Sequence, residues 1–117
     1  MSEVVTIRQG DFGRVFIRPI VVDENDAGID LSTATSIAFS VRLPKGGRYS
    51  RTSPDLVFAS GIYGAGDGTD GALEYALKQG DSDQIGRHHW EVEVVWPDGQ
   101  ITTESGAFDV VERKAAA

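Results

Sequence analysis

The sequence predicts an all-β fold, a single antiparallel β-sandwich of about seven short strands. Apolar and polar residues alternate in residues 36–43 and 90–96, as in strands with one buried face. Clusters of Gly, Pro, Asn and Asp separate such stretches, and 14 of the 117 residues are glycines. No stretch has the period of a long amphipathic helix. A chain of this length suits one domain, and we expect the sandwich to span residues 1–112.

The first half of the chain supplies three predicted strands. Residues 4–8 (VVTIR) form a short strand, and residues 13–23 form a longer one. Pro19 lacks an N–H, so this longer strand should lie at a sheet edge or bend there. Residues 24–28 are a turn cluster, and residues 36–43 (SIAFSVRL) are a half-buried strand. Residues 44–54 are predicted to be a polar loop.

The second half begins with weaker signals. Residues 56–60 (LVFAS) and 72–77 (ALEYAL) are predicted short strands, the latter with Leu73, Tyr75 and Leu77 on one face. Between them, residues 61–71 are rich in glycine and predict a loose loop. Residues 78–86 are expected to be a loop or a single helical turn. Residues 113–117 are predicted to be a disordered C-terminal tail, because they offer little to bury.

Residues 87–111 carry the strongest local signal, a β-hairpin. The turn Pro97-Asp98-Gly99 has the residues of a three-residue loop, which pairs Trp96 with Gln100. From that register, one apolar face without a bulge is expected to contain Trp90, Val92, Val94, Phe108 and Val110. The tip lacks this apolar face, because Thr102 and Glu104 share it. Val95 and Ile101 pair on the other face, and Trp96 is expected to be exposed, so the tip is predicted to project towards a partner.

Composition excludes several functional classes. The net charge is −7 and the isoelectric point is about 4.6, which disfavours non-specific binding to nucleic acid. There is no cysteine, so no disulfide framework and no thiolate zinc site is expected. The start, Met-Ser-Glu, has neither a basic nor an apolar run, and we expect no signal peptide and no membrane span. Folding in a reducing cytoplasm is the expectation.

No motif predicts catalysis or a cofactor. Residues 66–71 match G-x-G-x-x-G, but a period-2 segment follows them where a phosphate site needs a helix. His88 and His89 should point to opposite faces of a strand, which disfavours one shared metal ion. Glu91 and Glu93 are expected to face outward, and no nucleophile motif accompanies them. We therefore predict no enzymatic activity, no metal site and no cofactor.

Carboxylate and amide side chains in two loops raise a further possibility, a calcium site. Asp23, Asn25, Asp26 and Asp30 resemble the start of a calcium loop, but the twelfth position is Ala34 instead of a bidentate carboxylate. Asp67 and Asp70 could join such a site across the fold. Solvated turn residues are the favoured interpretation, because Asp and Asn side chains commonly cap turns.

One charge feature predicts a contact surface. No acidic residue lies between Asp30 and Asp55, while four of the eleven cations do. These cations, with Tyr49 among them, suit an acidic neighbour, and a solvated loop explains them equally well. The predicted partner-contact residues are Arg42, Lys45, Arg48, Tyr49 and Arg51 of this basic segment, and Val95, Trp96 and Ile101 of the hairpin tip.

The order of these patterns resembles immunoglobulin-like β-sandwich domains of tailed-phage structural proteins and is similar to the N-terminal domain of phage baseplate upper proteins. The matching segments are IRQGD (7–11), DAGIDLS (26–32), AT (34–35), IAFSVR (37–42), YAL (75–77), Asp83, Gly86, WEVEV (90–94), PDG (97–99), Thr103 and FDV (108–110). One departure is that RHHW follows Gly86, where a tyrosine of the corner type is expected.

This resemblance implies a non-catalytic structural component of a phage virion, as a tail, baseplate or head–tail accessory protein. It would be made in the host cytoplasm and act through assembly contacts with other virion proteins. We expect many copies or a homo-oligomer, without nucleic acid or membrane as a partner. The alternative is a carbohydrate-binding or adhesion module for host-surface recognition, which would use Trp96 and the aspartates of the loops.

Overall fold

The computed structural model describes residues 4–113, which form eight strands and one short 3₁₀ turn. The strands are β1 (Val5–Arg8), β2 (Phe16–Ile17), β3 (Ser36–Arg42), β4 (Arg48–Arg51), β5 (Leu56–Phe58), β6 (Leu73–Ala76), β7 (Gly86–Val95) and β8 (Ile101–Val111). The 3₁₀ turn spans Gly61–Tyr63 in the glycine-rich segment. No helix in this part of the chain is long and apolar enough to cross a membrane.

Two sheets face each other. The larger has the order β1-β8-β7-β3-β4 and the smaller the order β2-β6-β5. The smaller sheet matches strands B, E and D of an immunoglobulin-like sandwich, and the larger matches G, F and C with an added C′ strand. The predicted fold class is thereby confirmed. Eight strands are present where about seven were expected, and β1 runs parallel to β8.

The predicted strand over residues 13–23 is mostly wrong. Only β2 is regular, and two isolated bridges continue it at Ile20 and Val22. Pro19 explains the interruption, because it has no N–H for a ladder, although its carbonyl accepts a hydrogen bond from the Leu73 N–H at 2.8 Å. The expected position at a sheet edge is confirmed, since β2 is an outer strand of the smaller sheet.

The predicted polar loop over residues 44–54 contains strand β4 and is therefore also wrong in part. A tight turn reverses the chain, in which the Leu43 N–H donates to the Gly47 carbonyl at 3.0 Å. β4 then pairs with β3, opposing Arg48 to Arg42. No apolar alternation marks this strand, because its two inward residues are Tyr49 and Arg51. Pairing with β3 stabilises it instead.

The core lies between the sheets and is built around β3, β6, β7 and β8. The inward side chains of β3 and β7 are almost fully buried, and each such apolar side chain contributes roughly 1.5–3 kcal/mol. Trp90 lies over Gly106, where a Cβ atom would overlap the indole ring. The buried hydrophobic residues include Ile7, Ile17, Val21, Leu31, Phe39, Val41, Leu73, Tyr75, Leu77, Trp90, Val92, Val94, Phe108 and Val110.

The hairpin prediction is confirmed in register and in turn. β7 and β8 pair without a bulge from Gly86 opposite Val110 to Val95 opposite Ile101. The Trp96 N–H donates to the Gln100 carbonyl at 2.9 Å, and Gly99 has a φ of 86°. A positive φ of this kind is the reason that the turn needs glycine.

Two further expectations concern the loops. Residues 78–86 contain no helical turn before β7 begins. In the predicted tail, the Arg113 guanidinium donates to the Asp11 carboxylate at 2.7 Å, so this residue is attached to the sandwich. Residues 114–117 lie outside the described residues.

Candidate interaction surface

Strand β4 divides the predicted contact residues between two faces. Successive side chains of a strand point to opposite sides of a sheet. Arg48 and Ser50 therefore point outward, while Tyr49 and Arg51 point towards the core, and Arg48 is exposed whereas Tyr49 and Arg51 are half-buried. Arg42 and Lys45 are also exposed. The basic segment thus supplies three cations to the surface, and its fourth turns inward.

Arg51 belongs to a hydrogen-bond network inside the sandwich. Its guanidinium donates to the Tyr75 hydroxyl at 3.0 Å and to the Asp81 carboxylate at 3.1 Å. The Tyr75 hydroxyl donates to the same carboxylate, and the Lys78 N–H donates to it at 2.9 Å. Asp81 is only 5% exposed, so these bonds replace the water that it has lost.

Tyr75 and the neighbouring Tyr49, whose buried hydroxyl has no hydrogen-bond partner among the described residues, both stay neutral. Burial, with the Asp81 hydrogen bond, raises the pKa of Tyr75 to about 12. Burial also raises the pKa of Tyr49, whose ring stacks under the Arg51 guanidinium at 4.4 Å. A phenol that acts as a base or nucleophile at neutral pH would need its pKa shifted the other way. The network therefore stabilises the fold, and Tyr49 and Arg51 are engaged in the interior instead of presented to a partner.

The hairpin tip is less exposed than the sequence suggested. Trp96 is half-buried and packs against the core, and its indole N–H donates to the Thr102 hydroxyl at 2.9 Å. This bond explains why the polar Thr102 occupies the inner face. The expectation that Trp96 is exposed is therefore wrong. Ile101 is 58% exposed, and it pairs with the half-buried Val95 as predicted.

The outer face of the larger sheet forms a recess. Its volume is about 690 Å³, and charged and small side chains line it. The strand register sets the neighbours: Glu91 lies between Ser105 and Ser40, and Ser40 opposes Ser50. Because the residues that flank Glu91 are small, a second flat surface can approach the backbone of this sheet closely.

Charge on this outer face is separated along the strands. Arg42 and Arg48 lie in one row with the exposed His89, which we call the cationic end. Glu91 and Glu93 follow along β7 and form the anionic end. Within residues 4–113, none of these four charged side chains forms an ion pair within 4 Å. Sequence analysis placed Glu91 and Glu93 outward, but only the strand register places the two arginines on the same face of the sheet.

Arg87 extends the cationic row but is already neutralised. Its guanidinium donates to both oxygens of Asp109, at 2.8 and 3.0 Å. This bidentate contact lowers the pKa of Asp109 below its usual value. Among the outward arginines of β3, β4 and β7, Arg42 and Arg48 are therefore the two that no described carboxylate neutralises within 4 Å.

The two histidines lie on opposite faces, as predicted. His88 is fully buried and stacks on Phe108 with ring centroids 4.6 Å apart. Its Nδ1 atom is 3.2 Å from the Gly86 carbonyl, which requires a proton on Nδ1. His88 thus fills the inward position where the resemblance leads one to expect a corner tyrosine.

The aspartates of the loops cap turns. The Asp23 carboxylate accepts the N–H groups of Asn25 and Ala27, and the Asp70 carboxylate accepts those of Ala65 and Ala72. These contacts match the interpretation as turn residues. In the part of the chain that the structure describes, no three His, Asp or Glu side chains come together in a geometry that could hold a metal ion.

No family model matches the chain, and no curated protein is significantly similar to it in sequence.

Proposed function

We propose that this chain is a non-catalytic structural component of a tailed-phage virion and acts through protein–protein contacts. The resemblance of segments such as WEVEV (90–94) to phage structural domains supports the virion role. One observation carries the contact role: the outer face of the larger sheet presents separated charges of both signs on a floor of small residues.

The outer face suits an assembly contact better than a buried ligand site. Charges such as Arg48 and Glu93 are exposed, so a partner can reach them without rearrangement of the sandwich. Complementary charges at an interface orient the partner and suppress wrong pairings more than they add affinity. A structural protein that must adopt one arrangement among many copies needs that kind of selectivity.

The test is incorporation into particles. An Arg48→Glu chain would be supplied in cells that make the virion, and the amount of chain in purified particles would be measured. We expect at least a tenfold decrease, which corresponds to about 1.4 kcal/mol of lost contact energy. The matched control is Arg14→Glu, because Arg14 is equally a solvent-exposed cation but lies away from the outer face.

Equal incorporation of the two variants would contradict the contact role of the outer face. Normal, infectious particles made without the chain would contradict the structural role altogether. Circular dichroism of both purified variants shows that the comparison involves folded proteins.

The alternative, a carbohydrate-binding or adhesion module, now depends on different residues. Trp96 is half-buried and hydrogen-bonded, so it offers no sugar-stacking platform. The recess on the outer face contains Arg42, Arg48 and Ser40, which would suit an acidic sugar. Binding of sialylated or other acidic glycans on an array, lost in Arg42→Ala, would favour this alternative.

A further inference from the structure

The outward side chains of β7 form a charge sequence with a direction. From the Gly86 end they are Arg87, His89, Glu91 and Glu93, all exposed. The basic members occupy one half of the strand and the acidic members the other. Arg42 and Arg48 lie in the row of His89 and strengthen the cationic half.

We propose that two copies of this chain pair face to face through this outer face, related by a two-fold axis that crosses the strands between His89 and Glu91. The inference deepens the proposed function, because it names the partner of the same surface. This axis lies in the plane of the interface and perpendicular to the strands. Each strand therefore lies antiparallel over the same strand of the partner subunit. The axis sets His89 over Glu91 of the partner subunit. It also sets Arg87, together with the Asp109 carboxylate that it already binds, over Glu93 of the partner subunit.

The same operation suits the neighbouring strands. Arg42 comes over Ser40 of the partner subunit, beside the partner's Glu91. Arg48 comes over Ser50 of the partner subunit. Arg42 thus meets a small side chain next to a carboxylate, and the two-fold axis repeats this contact on the other copy. A pattern that changes sign across the axis is complementary to itself, whereas a uniformly charged face would repel its copy.

Other axes give poorer pairings. An axis running along β7 would place Glu91 over the partner's Glu91 and Glu93 over the partner's Glu93. Like charges brought together in this way disfavour association. The directional charge sequence therefore selects both a second copy as the occupant and the antiparallel orientation of the two copies.

Size limits the strength of this contact. Four strands at about 4.8 Å spacing and seven residues at about 3.4 Å rise give a footprint of roughly 500 Å² per copy. That lies at the low end for specific interfaces, so we expect association in the micromolar range. Each copy also carries a net charge of −7, and salt screens this repulsion together with the local attraction. Salt dependence alone is therefore a poor test.

A charge swap tests the geometry directly. The first variant, Glu91→Arg with Glu93→Arg, replaces the anionic end with cations. The second, Arg42→Glu with Arg87→Glu, places carboxylates where the proposed pairing sets them against positions 91 and 93 of the partner subunit. Sedimentation velocity of the unchanged chain and of each variant, over about 1 to 300 μM, measures the self-association. We expect the unchanged chain to dimerise and each variant to dimerise at least tenfold more weakly.

The decisive sample is the equimolar mixture of the two variants. In the proposed pairing both halves of the interface become attractive, so we expect a heterodimer at least as stable as the dimer of the unchanged chain. A monomeric unchanged chain at the highest concentration would overturn the inference, as would a mixture that does not associate. All four positions are outward and exposed, and circular dichroism checks that the variants fold.

The two proposals can fail separately. A monomeric chain whose Arg48→Glu variant is nevertheless lost from particles would overturn the two-fold pairing and leave the virion role standing. A heterodimer formed as expected, with unaltered incorporation of Arg48→Glu into particles, would overturn the virion role of this face and leave the pairing standing.

Discussion

At the scale of single residues, Arg51 shows how burial changes the role of a charged side chain. In the sequence it is one of four similar cations in a polar segment. In the structure it alone has a buried carboxylate within reach, and its side chain is 23% exposed against 5% for Asp81. Since the desolvated Asp81 depends on its partners, loss of Arg51 should cost far more than loss of an exposed arginine.

We predict that Arg51→Ala lowers the free energy of unfolding by about 3 kcal/mol. The value is at the lower end for a broken buried pair, because Asp81 keeps its bonds from Tyr75 and Lys78. Urea denaturation followed by tryptophan fluorescence measures it. Arg48→Ala, three residues earlier on the same strand, should change stability by no more than about 0.5 kcal/mol.

His88 is the second residue whose role burial decides. Its ring is enclosed, and no hydrogen-bond partner for Nε2 exists among the residues described. Burial lowers the pKa of His88 below 6.5, because a charged imidazolium would lose its hydration there. In the unfolded chain the pKa returns to about 6.5. The unfolded state therefore binds the extra proton below that pH, and stability falls as the solution becomes more acidic.

We predict that His88 makes the protein less stable at pH 5.5 than at pH 7.5. In His88→Phe the difference between the free energies of unfolding at pH 7.5 and pH 5.5 should be smaller than in the unchanged chain. Urea denaturation at the two pH values gives this difference whatever the absolute stability of the variant. His89→Gln is the control, because the exposed His89 has no buried ring, and an identical pH response of all three proteins would contradict the prediction.

At the scale of elements, β8 is paired with β7 along almost its whole length, but its other side is paired with β1 along only a part. The backbone N–H and C=O groups of the even-numbered residues of β8 point towards β7, as the hydrogen bond between Trp96 and Gln100 shows. Those of the odd-numbered residues point to the opposite side, where the Val111 carbonyl accepts the Gln9 N–H. β1 pairs only with the part of β8 from Phe108 to Val111. From Ile101 to Ala107, the odd-numbered residues therefore direct N–H and C=O groups to an edge that no other described strand covers.

This alternation predicts a sharp difference between two neighbouring proline substitutions. Glu104→Pro removes an N–H that points to β7 and leaves the acceptor on that strand unpaired, which should cost about 1–3 kcal/mol. Thr103→Pro removes an N–H that points to the open edge, where proline is tolerated, and should cost clearly less. Thermal unfolding followed by circular dichroism compares the two. Equal costs would contradict the alternation by which the N–H of residue 104 points to β7 and that of residue 103 to the open edge.

The elements also show where local sequence suffices. The hairpin follows from Pro97-Asp98-Gly99 and the alternation around it, because a short turn fixes which residues oppose each other. β4 has no such local signal, since Tyr49 and Arg51 are its inward residues. It becomes a strand by pairing with β3 across a turn, and the partners that make Arg51 suitable for the interior come from β6 and the segment after it.

At the scale of the whole molecule, the sandwich turns scattered charges into a pattern. Arg42, Arg48 and Glu91 lie far apart in the sequence, and the order β8-β7-β3-β4 brings them onto one face. The overall charge of −7 gives no indication of this separation, because it sums over both sheets and all loops. Both the proposed virion contact and the proposed two-fold pairing depend on this arrangement.

The sequence by itself determined the all-β class, the hairpin register and the outward direction of Glu91 and Glu93, because alternation and turn chemistry are local properties of the chain. Only the tertiary structure decided that Arg51 and Trp96 turn inward, that residues 48–51 form a strand, and that two arginines share one sheet face with two glutamates. These outcomes depend on which distant strands become neighbours. That choice depends on burial of the whole core, which no single segment determines.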